Sequence, residues 1–506
     1  MTRTSADPTP DDAAQAGGST KRWQMLAALL LLALAVRLPL AFWPNIVHPD
    51  EIFQYLEPAW RMLGHDGIIT WEWRYGIRGW FLPTLLAGPV ALGDWIAPGG
   101  EGAFVVPRLA AAVASLSIVV SAWLFGARVS RLHAIIAAFA AAVWFDLVFF
   151  APHTLSEPLA TALIVPAALL VTDHPSLRRL VIGGVLLALG FVCRFQYAPA
   201  IAVLVIGACW GRWRNLLPLI AGGIVVLLFA AIVDVAHGVV PFAWLIANIE
   251  QNLLRDRAAE FGVTSAITYL ADFWIIWSAA CVLLLAAIWR GWRHAPLLLV
   301  VALANLVFHS LIGHKEYRFV FLSVVLLVIL AALGSADWIE ALRAKRAWRP
   351  WALPIVAGGW ALLSLVLAGA SETMRDNWMG GVGAAQLATE LRSDPDTCGV
   401  ALYNVPFHIL PGRERLSGSS PLYALQPGDP LAKGHLKELV LATSPAFNRI
   451  LARPDAAADL PATFSRRSCA LVINGDACIF ARSGTCAATS AVAPFVINDV
   501  LLRLDY

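Results

Sequence analysis

The sequence predicts an α-helical protein that crosses a membrane many times and ends in a small soluble α/β domain. Three observations carry this. Of 506 residues, 59% are apolar and only 14% charged, with a mean hydropathy of +0.69. Apolar runs long enough to cross a bilayer recur between residues 22 and 370. After residue 371 charge, proline and glycine increase, and the apolar runs shorten to strand length. A net charge of +3 without a stripe of basic and aromatic residues excludes a nucleic-acid binder.

Residues 1–20 are polar and rich in Ala, Gly, Ser and Pro, and are expected to form a disordered cytoplasmic tail. The run at 22–42 is too long for a signal-peptide core and lacks a small-residue cleavage site, so it reads as an uncleaved first span. Further spans are expected near 105–127, 132–151, 155–172, 179–193, 197–211, 215–236, 266–289, 295–313, 317–335 and 350–370. The stretch 80–98 contains Pro83, Gly88, Pro89, Gly93 and Asp94, and is expected to lie in the interface or re-enter without crossing. Arginines fill the connections 127–133, 173–179, 211–214, 289–294 and 341–349, which the positive-inside rule assigns to the cytoplasm together with Lys21 and Arg22. Both conditions hold with about eleven spans, the N-terminus inside and the C-terminus outside. Every polar motif then falls on the outer side, including the first outer loop, 43–79.

Residues 371–506 are expected to form a periplasmic α/β domain following a transmembrane catalytic domain, 21–370. A helix is predicted at 381–391, with strands at 399–403, 470–473 and 496–504. Four of seven cysteines lie here, Cys398, Cys469, Cys478 and Cys486. On an oxidising side they allow up to two disulfides of unassigned pairing. Cys193, Cys209 and Cys281 sit in spans as buried apolar residues.

Charge at a membrane rim is costly and tends to be retained for function. In His48-Pro49-Asp50-Glu51, Pro49 suits a helix first turn, and Asp50, Gln54 and Glu57 would share one helical face. Asp50 or Glu51 is a candidate general base, with His48, Gln54 and Glu57 as substrate contacts; the bland alternative is acid favoured by a helix dipole. Trp71-Glu72-Trp73 with Arg78 reads as a sugar platform or, alternatively, an interfacial aromatic belt. Glu157 is either a first-turn cap or a substrate contact. Arg194, followed by Phe195 and Gln196, breaks the positive-inside rule at an outer helix end, which suggests an anionic partner. His314-Lys315-Glu316 with Arg318 breaks it again, and Lys315 is the only lysine between Lys21 and Lys345. Lys315 and Arg318, three residues apart, can converge on one phosphate, with Glu316 orienting them and His314 donating a hydrogen bond. Without a Gly-rich phosphate loop, a lipid-linked sugar phosphate is a better donor than a soluble nucleotide sugar. No cofactor is expected. His48, Asp50 and Glu51 are potential ligands of a divalent metal, but adjacent positions rarely converge on one ion.

These motifs resemble glycosyltransferase family 22 of the GT-C superfamily, the Alg9-like and GPI-type mannosyltransferases. The resemblance rests on His48-Pro49-Asp50-Glu51-Ile52-Phe53-Gln54, on Thr70-Trp71-Glu72-Trp73 with Ile77-Arg78, and on His314-Lys315-Glu316 with Arg318-Phe319, in order across residues 1–335. It implies a GT-C-like fold and inverting transfer from a polyprenyl-phosphate sugar, with Asp50 as the acidic catalytic residue and Lys315 and Arg318 on the donor phosphate. The C-terminal domain lies outside these motifs. An Ala- and Arg-rich composition without an Asn-x-Ser/Thr sequon suggests a bacterial inner-membrane protein with a periplasmic active face. The expected partners are the lipid-linked donor, a glycan or lipid acceptor, and membrane lipid. A transporter or flippase of lipid-linked sugars is the alternative, as is a C-terminal carbohydrate-binding module on a helical anchor; internal repeats and midplane charge, the usual marks of a transporter, are not evident.

Overall fold

A computed structural model describes residues 10–506 apart from 100, 174, 417–419, 473–474 and 488, with side chains from residue 22 onward. The apolar runs form helices because backbone polar groups in lipid must be satisfied within their own segment. Among the described residues, five stretches are long and apolar enough to cross a membrane: Arg22–Ala41, Gly102–Ala127, Trp213–Ala236, Tyr317–Arg343 and Ala352–Ala370. Five more apolar helices are shorter: Phe81–Ile96, Arg131–Val143, Ser156–Val171, Phe195–Cys209 and Pro296–Leu311. Residues 320–336 within Tyr317–Arg343 are almost wholly apolar because they run through the middle of the bundle, packed against Arg131–Val143, Ala280–Gly291 and Pro296–Leu311.

Three expectations need correction. The first helix begins at Pro10, inside the predicted disordered tail; residues 1–9 of that tail lie outside the described residues. The segment read as one span at 266–289 is two helices, Thr268–Trp277 and Ala280–His294, bent by 109°. The predicted strand at 496–504 is the helix Ile497–Leu504, whose Ile497, Val500 and Leu501 are buried on one helical face.

Five strands form the C-terminal sheet: β1 Val400–Tyr403, β2 Leu422–Leu425, β3 Arg449–Ala452, β4 Ser465–Val472 and β5 Gly475–Ala481. Their order is β2-β1-β3-β5-β4. β1 pairs in parallel with both β2 and β3, Val400 lying opposite Leu422 and Arg449, and all three strands are buried throughout. β5 runs antiparallel to β3 and β4. The helix predicted at 381–391 is Val382–Ser393, packed on β4. The four cysteines pair as Cys398–Cys486 and Cys469–Cys478, the second across β4 and β5.

The connection after β1 reaches back to the first outer loop. Phe407 packs edge-on against Phe53 at 5.0 Å. Arg415 pairs with Glu101 at 2.6 Å and lies over Phe104. Asn498 clips the loop by accepting from the Ile69 N–H at 2.8 Å and donating to the Gly67 carbonyl at 2.9 Å. Glu57 accepts from the backbone N–H groups of Ile68 and Arg413, and its carboxyl faces that of Glu414. Burial and the facing Glu57 carboxylate push Glu414 well above the ordinary carboxyl range. A raised value stabilises docking below the ordinary carboxyl range and loses that contribution as pH rises through the raised one. Resistance of the full chain to limited proteolysis between the two domains is therefore expected to fall as pH rises above the ordinary carboxyl range. Glu414→Gln, a permanent neutral donor, should flatten that dependence; an unchanged pH profile in the variant would remove Glu414 from the docking role.

Candidate active site

Pro49 and Asp50 lead into a turn of π-helix, Glu51–Leu56, followed by an α-helix, Glu57–Met62. The wider π turn shifts the angular phase of the side chains, so the face expected to unite Asp50, Gln54 and Glu57 does not form. Asp50, at the N-cap, is left with 14% of its side chain exposed. Glu51 turns inward, fully buried. It accepts from the Thr154 N–H at 3.1 Å and pairs with His153 Nδ1 at 2.8 Å. Gln54 donates to Thr70 Oγ1 at 3.2 Å, and Glu57 serves the docking described above. Glu51, read from the sequence as a candidate base, and Glu57, read as a substrate contact, are thus both held by protein groups.

Arg318 is the hub of the cluster. Only 4% exposed, its guanidinium donates from Nε to Glu316 Oε2 at 2.6 Å, from Nη1 to Glu157 Oε1 at 3.0 Å and from Nη2 to Asp50 Oδ2 at 2.9 Å. Glu157 Oε1 also pairs with Arg194 Nη1 at 3.0 Å, so this buried carboxylate bridges two guanidiniums. Both guanidiniums lie over the Phe319 ring, at 4.7 Å for Arg194 and 5.0 Å for Arg318. Arg78 approaches Asp50 Oδ2 at 3.5 Å and Glu72 Oε1 at 3.7 Å. His48 lies 3.3 Å from Asp50 and 3.4 Å from Glu316, and His314 Nε2 lies 3.0 Å from Glu316 Oε1.

Burial alone would raise the Asp50 carboxyl, but His48, Arg318 and Arg78 together hold it well below the usual carboxylate range. Burial likewise opposes ionisation of Glu316, and Arg318, His48 and His314 overcome it. The hydrogen bond that His314 donates to Glu316 raises His314 above its ordinary value. Asp50 is therefore a carboxylate over the whole neutral range, partly open, with cations on either side. That arrangement can accept a proton from a hydroxyl while cations nearby receive a departing anion.

The predicted residues thus divide. His48, Asp50, Glu72, Arg78, Glu157, Arg194, His314, Glu316 and Arg318 form one connected network. Lys315 stands apart from Arg318, its Nζ donating to the carbonyls of Ile312 at 2.5 Å and Thr264 at 3.1 Å. Local convergence of the two fails because residues 312–316 are extended or bent rather than helical, which sends successive side chains apart. Trp71 is 7% exposed, with Arg257 at 4.1 Å over one ring and Phe261 stacked on it, so protein groups occupy the expected sugar platform. Gln196 is half-buried in the turn Phe195–Tyr197, and among the described residues no hydrogen bond ties it to the network.

Sequence reasoning missed His408 as a neighbour of the site. His408 carried no motif; the chain fold brings it close enough to His48 that burial and His48 both lower its pKa.

Residues 28–375 match the model of the Alg9-like mannosyltransferase family. GPI mannosyltransferase 3 of Yarrowia lipolytica is 26% identical over 386 residues, covering 74% of this chain and 72% of that one. The protein of the same name from Drosophila melanogaster is 44% identical over 64 residues, 12% of this chain and 11% of its own. The crystal structure of ArnT from Cupriavidus metallidurans bound to undecaprenyl phosphate has the same fold. Its TM-score is 0.60 at 15% identity, over 92% of this chain and 99% of that one. The match spans the first outer loop, the span carrying Glu157 and Arg194's turn, and the segment of Arg318. The chain belongs to the Alg9-like mannosyltransferase family and is a multi-pass membrane glycosyltransferase of GT-C fold.

Proposed function

We propose that this glycosyltransferase moves a sugar, mannose in the first instance, from a polyprenyl-phosphate donor to a glycan or lipid acceptor at the outer face of a bacterial inner membrane. The observation that carries the reading is a part-exposed Asp50 carboxylate held between the guanidiniums of Arg78 and Arg318. ArnT, a protein of the same fold, was crystallised with undecaprenyl phosphate, which supports a polyprenyl-linked donor. Two disulfides in the C-terminal domain support an oxidising, extracytoplasmic location for that face.

In this reading the acceptor hydroxyl gives its proton to Asp50 as its oxygen attacks the anomeric carbon from the side opposite the phosphate. The carbon–phosphate oxygen bond breaks, and the lipid phosphate leaves with the bonding pair, inverting the anomeric centre. A carboxylate this acidic is a weak base in the free enzyme. When the donor phosphate draws on Arg78, the field on Asp50 weakens and its basicity rises. Base strength thus depends on the donor being in place. Lys315, at the rim and bound only to carbonyls, can turn to the phosphate at small cost.

Asp50→Asn should lower transfer from synthetic polyprenyl-phosphate-mannose by roughly 10²–10⁴-fold, with donor binding by the folded variant close to wild type. Comparable turnover would sink the base assignment. Since Asp50 must be ionised, kcat/KM should fall as pH drops through its value in the free enzyme, below the ordinary carboxylate range. Arg78→Gln removes one of the cations that depress it and should move that acid limb to higher pH, whereas an unmoved limb would point to another base. Lys315→Ala should raise the donor KM about tenfold, the loss of roughly 1.4 kcal/mol, with a smaller effect on kcat; equal donor affinity in the two proteins would exclude Lys315 from the phosphate.

A further inference from the structure

A second cluster of ionisable side chains lies at the arginine-rich end of the bundle, away from Asp50. His133 stands in the first turn of Arg131–Val143, His294 ends the short turn Trp292–His294, and Asp337 projects from Phe321–Arg343. His133 Nε2 is 3.0 Å from Asp337 Oδ1, and His294 Nε2 is 3.1 Å from both Asp337 oxygens. One donor atom from each residue lies within 4.8 Å of the other two. In a tetrahedral zinc site with bonds near 2.0–2.1 Å, neighbouring donor atoms stand roughly 3.3 Å apart. Two of the three spacings are already close to that value.

The three donors come from separate helices whose backbones are locked together. A Cβ on Gly334 would lie 1.9 Å from the Ala287 carbonyl oxygen, and one on Gly291 2.0 Å from that of Leu330. That backbone-to-backbone seam runs immediately before His294 in one chain segment and before Asp337 in the other. A Cβ on Gly126 would lie 2.4 Å from the His133 carbonyl oxygen, so the third ligand is also seated by a close backbone approach. His133 is 1% exposed, and its Nδ1 lies 2.8 Å from Ser130 Oγ. That contact fixes the ring so that Nε2 faces Asp337, the outer hydrogen bond a metal-bound imidazole requires. Two charged groups compete for the ligands: Arg290 Nε lies 3.7 Å from Asp337 Oδ2, and Glu340 Oε1 lies 3.8 Å from His133 Nδ1. Both side chains are about half exposed and free to swing into solvent.

We propose that His133, His294 and Asp337 bind a divalent transition-metal ion of the zinc class, with water completing the shell. Two imidazoles and one carboxylate are a donor set suited to zinc and its borderline neighbours rather than to magnesium or calcium. The ion ties three helices at the end of the bundle opposite the transferase site and takes no part in sugar transfer.

The test uses the full-length chain in detergent, freed of any histidine tag and stripped with chelator, titrated with Co²⁺ as a visible-absorption probe. The expected result is a ligand-field band that saturates near one equivalent and is displaced by Zn²⁺. His294, a quarter exposed on a turn, is the ligand whose loss the fold best tolerates. His294→Ala should weaken Co²⁺ binding by at least about tenfold while sugar transfer persists. Should that variant not fold, Asp337→Asn keeps the side-chain volume and should show the same loss. A wild-type protein without the band, or a variant that binds Co²⁺ as tightly as wild type, overturns the proposal.

Discussion

Burial of the Arg318 guanidinium is the constraint on which the outer half of the molecule depends. An arginine taken out of water at this depth costs several kcal/mol unless every donor is met by charge of the right geometry. Three carboxylates meet it, and each arrives from a different part of the chain: Asp50 from the first outer loop, Glu157 from the start of a helix about a hundred residues later, Glu316 from the turn before the central helix. Removing one partner would leave an uncompensated buried charge, typically a loss of about 3–5 kcal/mol. The ion cluster is therefore the clamp that closes the outer loop over the bundle and, in the proposed function, also the chemistry.

The same constraint sets the state of Asp50. A lone carboxylate at this burial would take up a proton, whereas this one is kept ionised by the cations that also anchor the loop. In the proposed reaction, catalytic readiness and structural cohesion would draw on one set of contacts, so that the donor's arrival would alter both. Glu157 extends the arrangement inward, since one of its oxygens serves Arg318 and Arg194 together and both guanidiniums rest on Phe319.

The neighbouring acids of the first outer loop have separate tasks. Glu51 is spent on His153 and the Thr154 backbone, which fixes the loop to the helix that begins at Ser156. Glu57 meets Glu414 and the Arg413 backbone, which fixes the loop to the C-terminal domain. The C-terminal sheet thus bears on the site without belonging to the motifs of the family, holding the loop from above while Arg318 holds it from below.

By itself the sequence determined the helical membrane class, the C-terminal sheet domain and the family, and it grouped most of the polar motifs on one side. Hydropathy, loop charge and short motifs are local properties, and local physics sets them. It also marked most of the network, because Arg194 and Arg318 violate the charge rule for outer loops, and a cation there needs anions. Partner choice was another matter. Whether Asp50, Glu51 or Glu57 faces the cations turns on one π-helical turn and on chain segments a hundred or more residues away. The separation of Lys315 from Arg318, the covering of Trp71 by Arg257, the helix at 497–504 and the cysteine pairing were likewise decided only by tertiary packing. A side chain's direction is settled by which distant group can satisfy it, and that distance exists only once the chain has folded.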